Sequence, residues 1–303
     1  MPGDERILDV SETAAHLSVR NEQLLVRPEG AEPVSIPLAD LAVIVLSHRA
    51  VTCSLAALSG IMRHGGSVVV CDETFLPCGL MLPLGINGEQ TRRVLAQASA
   101  SRPLRKRLWK QIVRIKILAQ AAVLMEHHSI SAGLEELARQ VRSGDPENME
   151  GQAAQRYWPL LFPETLFRRR FDADDQNRLL NYGYAVLRSA VGRAVCAAGL
   201  HPSLGLHHRS RTNSWCLADD LMEPYRPMVD SEVVRIVGEW GPDAPLDRSI
   251  KQRLIGVLHQ RLEHDGESRT CLDWISRSAV SLAGVYLGRR QRLLFPKGLT
   301  HAL

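Results

Sequence analysis

The sequence Leu84-Gly-Ile-Asn-Gly88 separates two parts of the chain whose apolar residues are spaced differently. Before it, short β-branched runs such as Ala42-Val-Ile-Val-Leu46 and Ser67-Val-Val-Val-Cys71 are typical of strands. After it, apolar residues recur with a period near 3.6, which predicts helices. The sequence therefore predicts an α+β fold. A small, mainly β domain covers residues 1–86, and a larger all-helical domain covers residues 87–303.

The first part is predicted to contain a hairpin and one helix. His16–Arg20 and Gln23–Arg27 flank a polar Asn-Glu pair, a pattern that indicates two strands joined by a tight turn. Between the two β-branched runs, Cys53–His64 has apolar residues at helical spacing. A short linker near residues 85–90 is expected to join this part to the helices.

The second part is predicted to be helical throughout. Asp145 followed by Pro146 fits an N-cap with proline at the first helical position, and Gly199 suits the end of a helix. The predicted helices cover about 89–100, 103–125, 131–143, 146–158, 177–198, 218–223, 229–239, 248–264 and 269–290.

The composition indicates a globular, cytoplasmic protein. Of the 303 residues, 45% are apolar and 23% are charged, which is ordinary for a domain with a core. Six cysteines are scattered without a CxxC pair, so neither a zinc ribbon nor a disulfide scaffold is expected. The acidic N-terminal residues argue against a secretory signal, and no apolar run is long enough for a membrane span.

One segment suggests a polyanionic partner. Seven basic residues and no acidic one lie between Arg102 and Lys116, although the whole chain carries a net charge of only +4. A basic helix face of this kind fits nucleic acid; a merely solvated face is the alternative. The apolar stripe that would turn the opposite face to the core consists of Leu104, Leu108, Ile112, Ile115 and Ala119.

Three segments carry candidate metal ligands. Oxygen-ligated ions usually take their ligands from distant parts of a chain, so no compact motif is expected. An acidic residue in the first turn of a helix can instead be there because it interacts favourably with the helix dipole. Most histidines are ordinary core or surface residues. Acids crowded within five residues would repel one another unless a metal ion, arginines such as Arg226, or solvent neutralised them. The segments are 148–158 with Glu150, 199–211 with His201, His207 and His208, and 215–226 with Asp219, Asp220 and Glu223.

Four motifs, taken in order, resemble the CRISPR-associated adaptation integrase family, here called the Cas-one integrases. The resemblance covers essentially the whole chain, although the N-terminal part contributes shape rather than motif. The amino-acid sequences of the last two motifs are most similar to those of family members from type II systems. The motifs are Asn148-x-Glu150-Gly-x-Ala-Ala, Leu180-Asn-Tyr-Gly-Tyr184 with Leu187-Arg188 and Ala190, Gly205-Leu-His-His208, and Asp220-Leu-Met-Glu223-Pro-x-Arg226.

The resemblance implies a metal-dependent DNA integrase that inserts protospacer DNA into a CRISPR array. Its catalytic residues and metal ligands fall on Glu150, His208 and Glu223, with Asp220 as a further acid beside the site. His207 is left open as an alternative to His208. Carboxylates with one imidazole suit Mg²⁺ or Mn²⁺ better than Zn²⁺. The attacking group would be the 3′-hydroxyl of the incoming DNA, so no protein nucleophile is required.

The resemblance also implies partners. These are double-stranded DNA (protospacer and CRISPR repeat), a second copy of the chain in a homodimer, and a small second adaptation protein in a larger complex. The first domain would then serve dimerisation and partner contact. Arg168-Arg-Arg170 is a weaker candidate DNA contact. The DNA-binding residues expected on the basic helix are Arg102, Arg105, Lys106, Lys110 and Arg114.

Two other functions stay open at this point. A metal-dependent endonuclease on branched or single-stranded DNA would use the same site with water as nucleophile. A non-catalytic DNA-binding scaffold would use the basic helix alone. If the acids only repel one another, removing the charge of Glu223 should not lower the stability of the metal-free protein; a buried ion pair with Arg226 predicts the opposite.

Overall fold

The computed structural model describes residues 6–73, 77–84, 90–163, 167–170 and 172–300 and confirms the α+β class. The strands of the N-terminal part are β1 (Arg6–Val10), β2 (Ala15–Arg20), β3 (Gln23–Pro28), β4 (Val34–Pro37), β5 (Leu41–Leu46), β6 (Thr52–Cys53), β7 (Ser67–Cys71) and β8 (Pro77–Met81). Within the described residues they form two four-stranded sheets, in the orders β1-β5-β7-β8 and β4-β3-β2-β6. In the first sheet β1, β5 and β7 are parallel and β8 is antiparallel.

The predicted hairpin is confirmed. Strands β2 and β3 pair antiparallel from Arg20 opposite Gln23 outward. The two residues between them, Asn21 and Glu22, have φ angles of 50° and 57°. Positive φ at both central residues is what a two-residue type I′ turn requires, because it matches the twist of the flanking strands. The predicted helix of this part is also present, as α1 (Leu55–Arg63), capped by the Ser54 side chain.

The first sheet is buried on both faces, and this explains its continuous apolar runs. Val43 and Val45 face the helical part and belong to its hydrophobic core. Ile44 and Val68 point the other way, into a smaller core shared with the second sheet and α1. The β-rich and helical parts therefore share one large core, and the boundary at residue 86 stays a prediction. Of the expected linker, residues 85–89 lie outside the described residues.

The long helix α3 organises the second part. It packs against α4, α5 and α8, so its middle lies deep in the core. The predicted helices are present, and apart from the one over 248–264 their ends differ by a few residues. They are α2 (Gln90–Ala98), α3 (Arg102–His128), α4 (Leu134–Gln140), α5 (Met149–Leu161), α6 (Asn177–Ala197), α7 (Cys216–Met222), α8 (Arg226–Trp240), α9 (Arg248–Gly256) and α10 (Cys271–Tyr286), with short 3₁₀ helices at Leu38–Asp40, Glu223–Tyr225, Val257–His259 and Lys297–Leu299.

The second part is not helical throughout. The predicted helix over 248–264 ends at Gly256, and a hairpin of β9 (Arg261–His264) and β10 (Glu267–Thr270) follows. Its turn is Asp265-Gly266, with both residues at positive φ. Asp-Gly is among the strongest short-range signals for a hairpin, and here it outweighs the helical spacing of the apolar residues. Among the described helices, none combines the length and apolar character needed to cross a bilayer.

Candidate active site

Two carboxylates from separate segments meet at one lysine. Glu150 lies in the first turn of α5, and Glu223 opens the 3₁₀ helix after α7. The Nζ atom of Lys116, in the middle of α3, donates to Glu150 Oε1 at 2.5 Å and lies 2.5 Å from Glu223 Oε2. Because both oxygens lie that close to the same nitrogen, they are no more than about 5 Å apart. The sequence-predicted residues Glu150 and Glu223 are therefore brought together.

The position of Glu150 follows from how α5 begins. The predicted N-cap at Asp145 is wrong, since the helix starts at Met149 and Asn148 caps it, accepting from Gly151 N at 3.2 Å. Asp145 still contributes, because its carboxylate accepts from the amides of Met149 and Glu150 at 2.9 and 3.0 Å. Two side chains thus satisfy three of the free N–H groups of the first turn and fix the direction of Glu150.

Glu223 has a second cationic partner. Its Oε1 lies 3.0 Å from Arg226 Nε, and the guanidinium of Arg226 lies over the ring of Tyr184, 4.6 Å from the centroid. The Glu223 side chain is only 5% exposed. Burial alone would raise the pKa of this carboxyl, but Arg226 and Lys116 outweigh it and hold the pKa below its usual range. For Lys116, burial opposes the charge, and Glu223 and Glu150 nevertheless raise its pKa.

His208 is held by Asp220. Nδ1 of His208 lies 2.7 Å from Oδ1 of Asp220, whose side chain is fully buried. The same carboxylate accepts from the backbone N–H groups of Leu206, His207 and His208 at 2.5, 3.0 and 3.1 Å. Since this carboxylate acts as an acceptor, Nδ1 carries the proton and Nε2 is left as the ring nitrogen that can bind a ligand. The hydrogen bond to Asp220 raises the pKa of His208, against the opposing effect of burial.

Gly205 lets the histidine loop approach Asp220. A Cβ at this position would lie 2.4 Å from the carbonyl oxygen of His208 and 2.9 Å from Asp220 Oδ2. Both distances are below van der Waals contact, so a side chain here would push the loop away from the carboxylate. The Gly205-Leu-His-His208 motif is thus explained by packing as well as by chemistry.

The two adjacent histidines have different surroundings. The ring of His207 stacks on Trp109, with centroids 4.3 Å apart and planes 7° apart. His208 meets the same indole edge-on at 5.8 Å and, unlike His207, has its ring bonded to Asp220. Only for His208 does a hydrogen bond on one ring nitrogen orient the other, the arrangement typical of a metal-binding or catalytic imidazole.

The acid cluster is neutralised by the protein itself. Asp219 accepts from Arg188 Nε and Nη2 at 2.7 and 2.9 Å and from Asn213 Nδ2 at 2.6 Å. Asp220 is satisfied by the histidine loop, and Glu223 by its two cations. Repulsion among the three acids is therefore compensated, and the effect of removing the charge of Glu223 on stability stays a prediction. The ion pair with Arg226, the alternative considered from the sequence, is present and buried.

The donor set fits a hard divalent cation. Glu150 and Glu223 are aimed at one cation position, and the negative charge of Glu223 acts on the imidazole of His208. Over the described ranges, however, no three His, Cys, Asp or Glu side chains are grouped closely enough to hold an ion as they stand. The cation between the two carboxylates is the ammonium of Lys116. A divalent ion would have to replace it.

The exposed face of α3 leads to this site. Arg102, Lys106 and Arg114 are exposed, and Arg105 and Lys110 are half-buried. Arg105 lines a cavity of ≈ 400 Å³ next to the histidine loop, and this cavity has two further arginines. Those two arginines are Arg209 and Arg211, and the remaining lining residues are Gln97, Ala98, Ser203, Leu204, Gly205 and Ser210.

Of the triple-arginine segment 168–170, the middle residue faces inward. Arg169 donates to Asn177 Oδ1 at 2.8 Å and to Asn181 Oδ1 at 2.6 Å. It also lies over the Tyr184 ring. Arg169 is therefore part of the core around α6 and unsuited to the weaker DNA contact expected there, whereas Arg168 and Arg170 are exposed.

Sequence reasoning missed Lys116 as a site residue, because it counted this lysine as one of the seven in the basic row. The signal was its position on α3. Lys116 follows Ile112 by four residues and precedes Ala119 by three, so it lies on the apolar stripe. Trp109, which is 1% exposed and stacks on His207, was also overlooked. A lysine on the buried stripe of a helix requires an acid partner, and two are present.

Comparisons with known proteins identify the family of the chain. The model of the family described as CRISPR associated protein Cas1 matches residues 8–240. The chain is 40% identical over 284 residues to a CRISPR-associated endonuclease Cas1 of Neisseria meningitidis serogroup C (strain 8013), covering 93% of this chain and 92% of that protein.

Solved structures with the same fold include two at lower sequence identity. A casposase bound to integration product has a TM-score of 0.79 at 20% identity, with 97% of this chain and 93% of that chain covered. A Cas6-RT-Cas1--Cas2 complex gives 0.78 at 19% identity, with 97% of this chain and 36% of that chain covered. On the extent of the family match and the 40% identity over nearly the whole length, the chain belongs to the CRISPR associated protein Cas1 family.

Proposed function

We propose that this chain is a metal-dependent DNA integrase that inserts protospacer DNA into a CRISPR array. In the reaction, a 3′-hydroxyl of the incoming DNA attacks a phosphodiester of the repeat, so one phosphodiester forms as another breaks. The observation that carries the proposal is the convergence of the Glu150 and Glu223 carboxylates on one cation position. The similar fold of a casposase bound to integration product supports a DNA-joining reaction.

Each site residue has a distinct part in this proposal. Glu150, Glu223 and Nε2 of His208 would hold Mg²⁺ or Mn²⁺, which when bound polarises the scissile phosphate and stabilises the leaving oxygen. Asp220 orients His208 through Nδ1 and shapes the loop that carries it. Arg226 keeps Glu223 ionised and in place through an ion pair that is buried on the side of Tyr184.

A strand-transfer assay tests the proposal. The donor is a duplex with free 3′-hydroxyl ends, the target a supercoiled plasmid with a CRISPR repeat, and Mg²⁺ or Mn²⁺ is added or withheld. Joined product should form only with metal and should be lost in Glu150→Ala and His208→Ala. A donor with 3′-dideoxy ends is the matched control, because it binds alike but carries no nucleophile. Joining by the alanine variants would overturn the assignment of these residues.

The endonuclease alternative is favoured by one specific observation, the name of the 40% identical relative. In that reaction water replaces the 3′-hydroxyl at the same site. Cleavage of the DNA without donor joining, lost in the same alanine variants, would favour it over integration. DNA binding by wild type without any metal-dependent joining or cleavage would contradict both enzymes and leave the non-catalytic scaffold.

We extend the proposal to the partners. The similar fold found in a Cas6-RT-Cas1--Cas2 complex supports a small second adaptation protein of the Cas2 kind. Double-stranded DNA, a homodimer formed through the β-rich part, and membership of a type II system complete the proposed assembly. Light scattering of the chain alone measures whether it is a homodimer, and light scattering of the mixture measures whether it forms a complex with such a partner. A monomer that binds neither partner nor DNA would contradict this part.

A further inference from the structure

Lys116 is a cation enclosed by the site. It extends from the centre of α3, and its side chain is 13% exposed. One of its two carboxylate partners comes from α5 and the other from the 3₁₀ helix after α7. A single ammonium thus joins three segments of the chain.

Lys116 and a divalent ion cannot use both carboxylates at once. Mg²⁺ holds its oxygens at about 2.1 Å, nearly the distance at which Nζ already contacts the same two oxygens. If both stayed, the ammonium of Lys116 and the divalent ion would lie next to each other and repel strongly, because little water is present to screen their charges. Arg226 is the less movable cation of the site, since it is packed against Tyr184 and its partner oxygen is Oε1 of Glu223, not the one facing Lys116.

Once displaced, the ammonium of Lys116 needs another anion. Arg226 acts on it unfavourably, and a charged group left unpaired in a half-buried position is costly. The side chain has four rotatable methylenes and can follow a new partner without movement of the helix. A DNA phosphate entering the site beside the metal supplies such a partner, because ammonium groups bind phosphate readily.

We propose that Lys116 occupies the cation position of the metal-free site and makes binding of the divalent ion cooperative with binding of DNA. Without DNA, Lys116 competes with the ion for Glu150 and Glu223, so the affinity for the ion is low. With DNA, Lys116 moves to a phosphate and releases the carboxylates. Linkage then requires that the ion strengthens DNA binding by the same factor. This inference rests on the metal site of the proposed function.

Calorimetric titration of Mn²⁺ tests the inference without any measurement of catalysis. The proteins are wild type, Lys116→Met, and Lys297→Met as a matched loss of one lysine that pairs with exposed Asp265. Each is titrated alone and with a duplex carrying 3′-dideoxy ends. In wild type and Lys297→Met, the duplex should tighten Mn²⁺ binding by about 5- to 150-fold, the usual range of such coupling. Lys116→Met should bind Mn²⁺ more tightly than wild type without DNA and gain much less from it.

The outcomes separate the two claims. If wild type binds Mn²⁺, Glu150→Gln abolishes binding, and Lys116→Met behaves as wild type, then the role of Lys116 is refuted and the metal site stands. If wild type binds no Mn²⁺ with or without DNA, both fall. Should Lys116→Met not fold, Lys116→Gln is the substitute, because its amide can donate to Glu150 without a charge. Lys116→Arg keeps the charge and should bind Mn²⁺ no more tightly than wild type; tighter binding would contradict competition by charge.

Discussion

Nδ1 of His208 lies 2.7 Å from Oδ1 of Asp220, and this contact links a half-exposed imidazole to a fully buried carboxylate. Asp220 also holds three backbone amides of the same loop. The aspartate therefore serves structure and chemistry together. It gives the loop a fixed shape and makes Nε2 the reactive nitrogen of His208.

Asp220→Asn should cost both stability and activity. Asparagine keeps one acceptor oxygen. Its NH2 group must therefore face either the amides of Leu206 and His207 or the amide and ring nitrogen of His208, and at least one backbone N–H loses its partner. Each buried donor left unpaired costs about 1–3 kcal/mol. Chemical denaturation should show a loss of this size. His208→Ala, which leaves the amides paired, should lose strand transfer with a much smaller loss of stability. Equal stability of Asp220→Asn and wild type would show that the loop does not depend on the carboxylate.

Glu223→Gln should destabilise the metal-free protein. The substitution removes the charge that compensates Arg226 and half of the charge around Lys116 in a site that is 5% exposed at Glu223. Breaking a buried ion pair from one side costs on the order of 3–5 kcal/mol, and the amide oxygen that remains places the expected loss at the low end. Melting curves in a metal-chelating buffer measure it. An unchanged melting temperature would mean that the two cations are solvated rather than paired.

The basic face of α3 should set the salt dependence of DNA binding. Replacing Arg102, Lys106 and Arg114 by alanine should weaken binding to any duplex sequence. In a plot of the logarithm of the binding constant against the logarithm of the salt concentration, each lost phosphate contact should make the negative slope shallower by about 0.9. Titrations at several salt concentrations give the slope. The matched control is Arg20→Ala with Arg27→Ala, two exposed arginines of the first hairpin, for which the slope should stay the same.

A buried aspartate behind the site should make stability depend on pH. Burial raises the pKa of Asp230 to about 6, although hydrogen bonds from Tyr184 and Tyr157 oppose the rise. The folded protein thus binds this proton more tightly than the unfolded chain, whose value is near 3.8. The contribution of Asp230 to stability must fall as the pH rises from about 4 to 6, and be constant above.

Asp230→Asn measures this contribution. The difference in unfolding free energy, wild type minus variant, should decrease between about pH 4 and 6 and then level off. The matched control is Asp174→Asn, which removes an exposed acid that pairs with Arg178. A pH-independent difference for Asp230→Asn would contradict the raised pKa.

Local patterns in the chain were enough to predict the helices and the strands β2, β3, β5 and β7. The β-branched runs, the Asn-Glu hairpin turn and the apolar stripe of α3 are such patterns, and they are set by backbone geometry and side-chain period. The Asp265-Gly266 turn was equally readable, but it lay between two predicted helices, over 248–264 and 269–290. Glu150 and Glu223 were found through their motifs, and the folded chain brings them to one point.

Which charges neutralise one another depended instead on how the helices pack. Asp219 pairs with Arg188 and Glu223 with Arg226, while Lys116 leaves the basic row to join the two glutamates. Arg188 and Lys116 are distant in sequence from their acids. The i,i+3 spacing of Glu223 and Arg226 permits a pair, but that pair could equally have faced solvent, so spacing alone does not select the partners. Burial makes the selection, because a charge removed from water must find an opposite charge at contact distance, and only the packed helices determine which one is there.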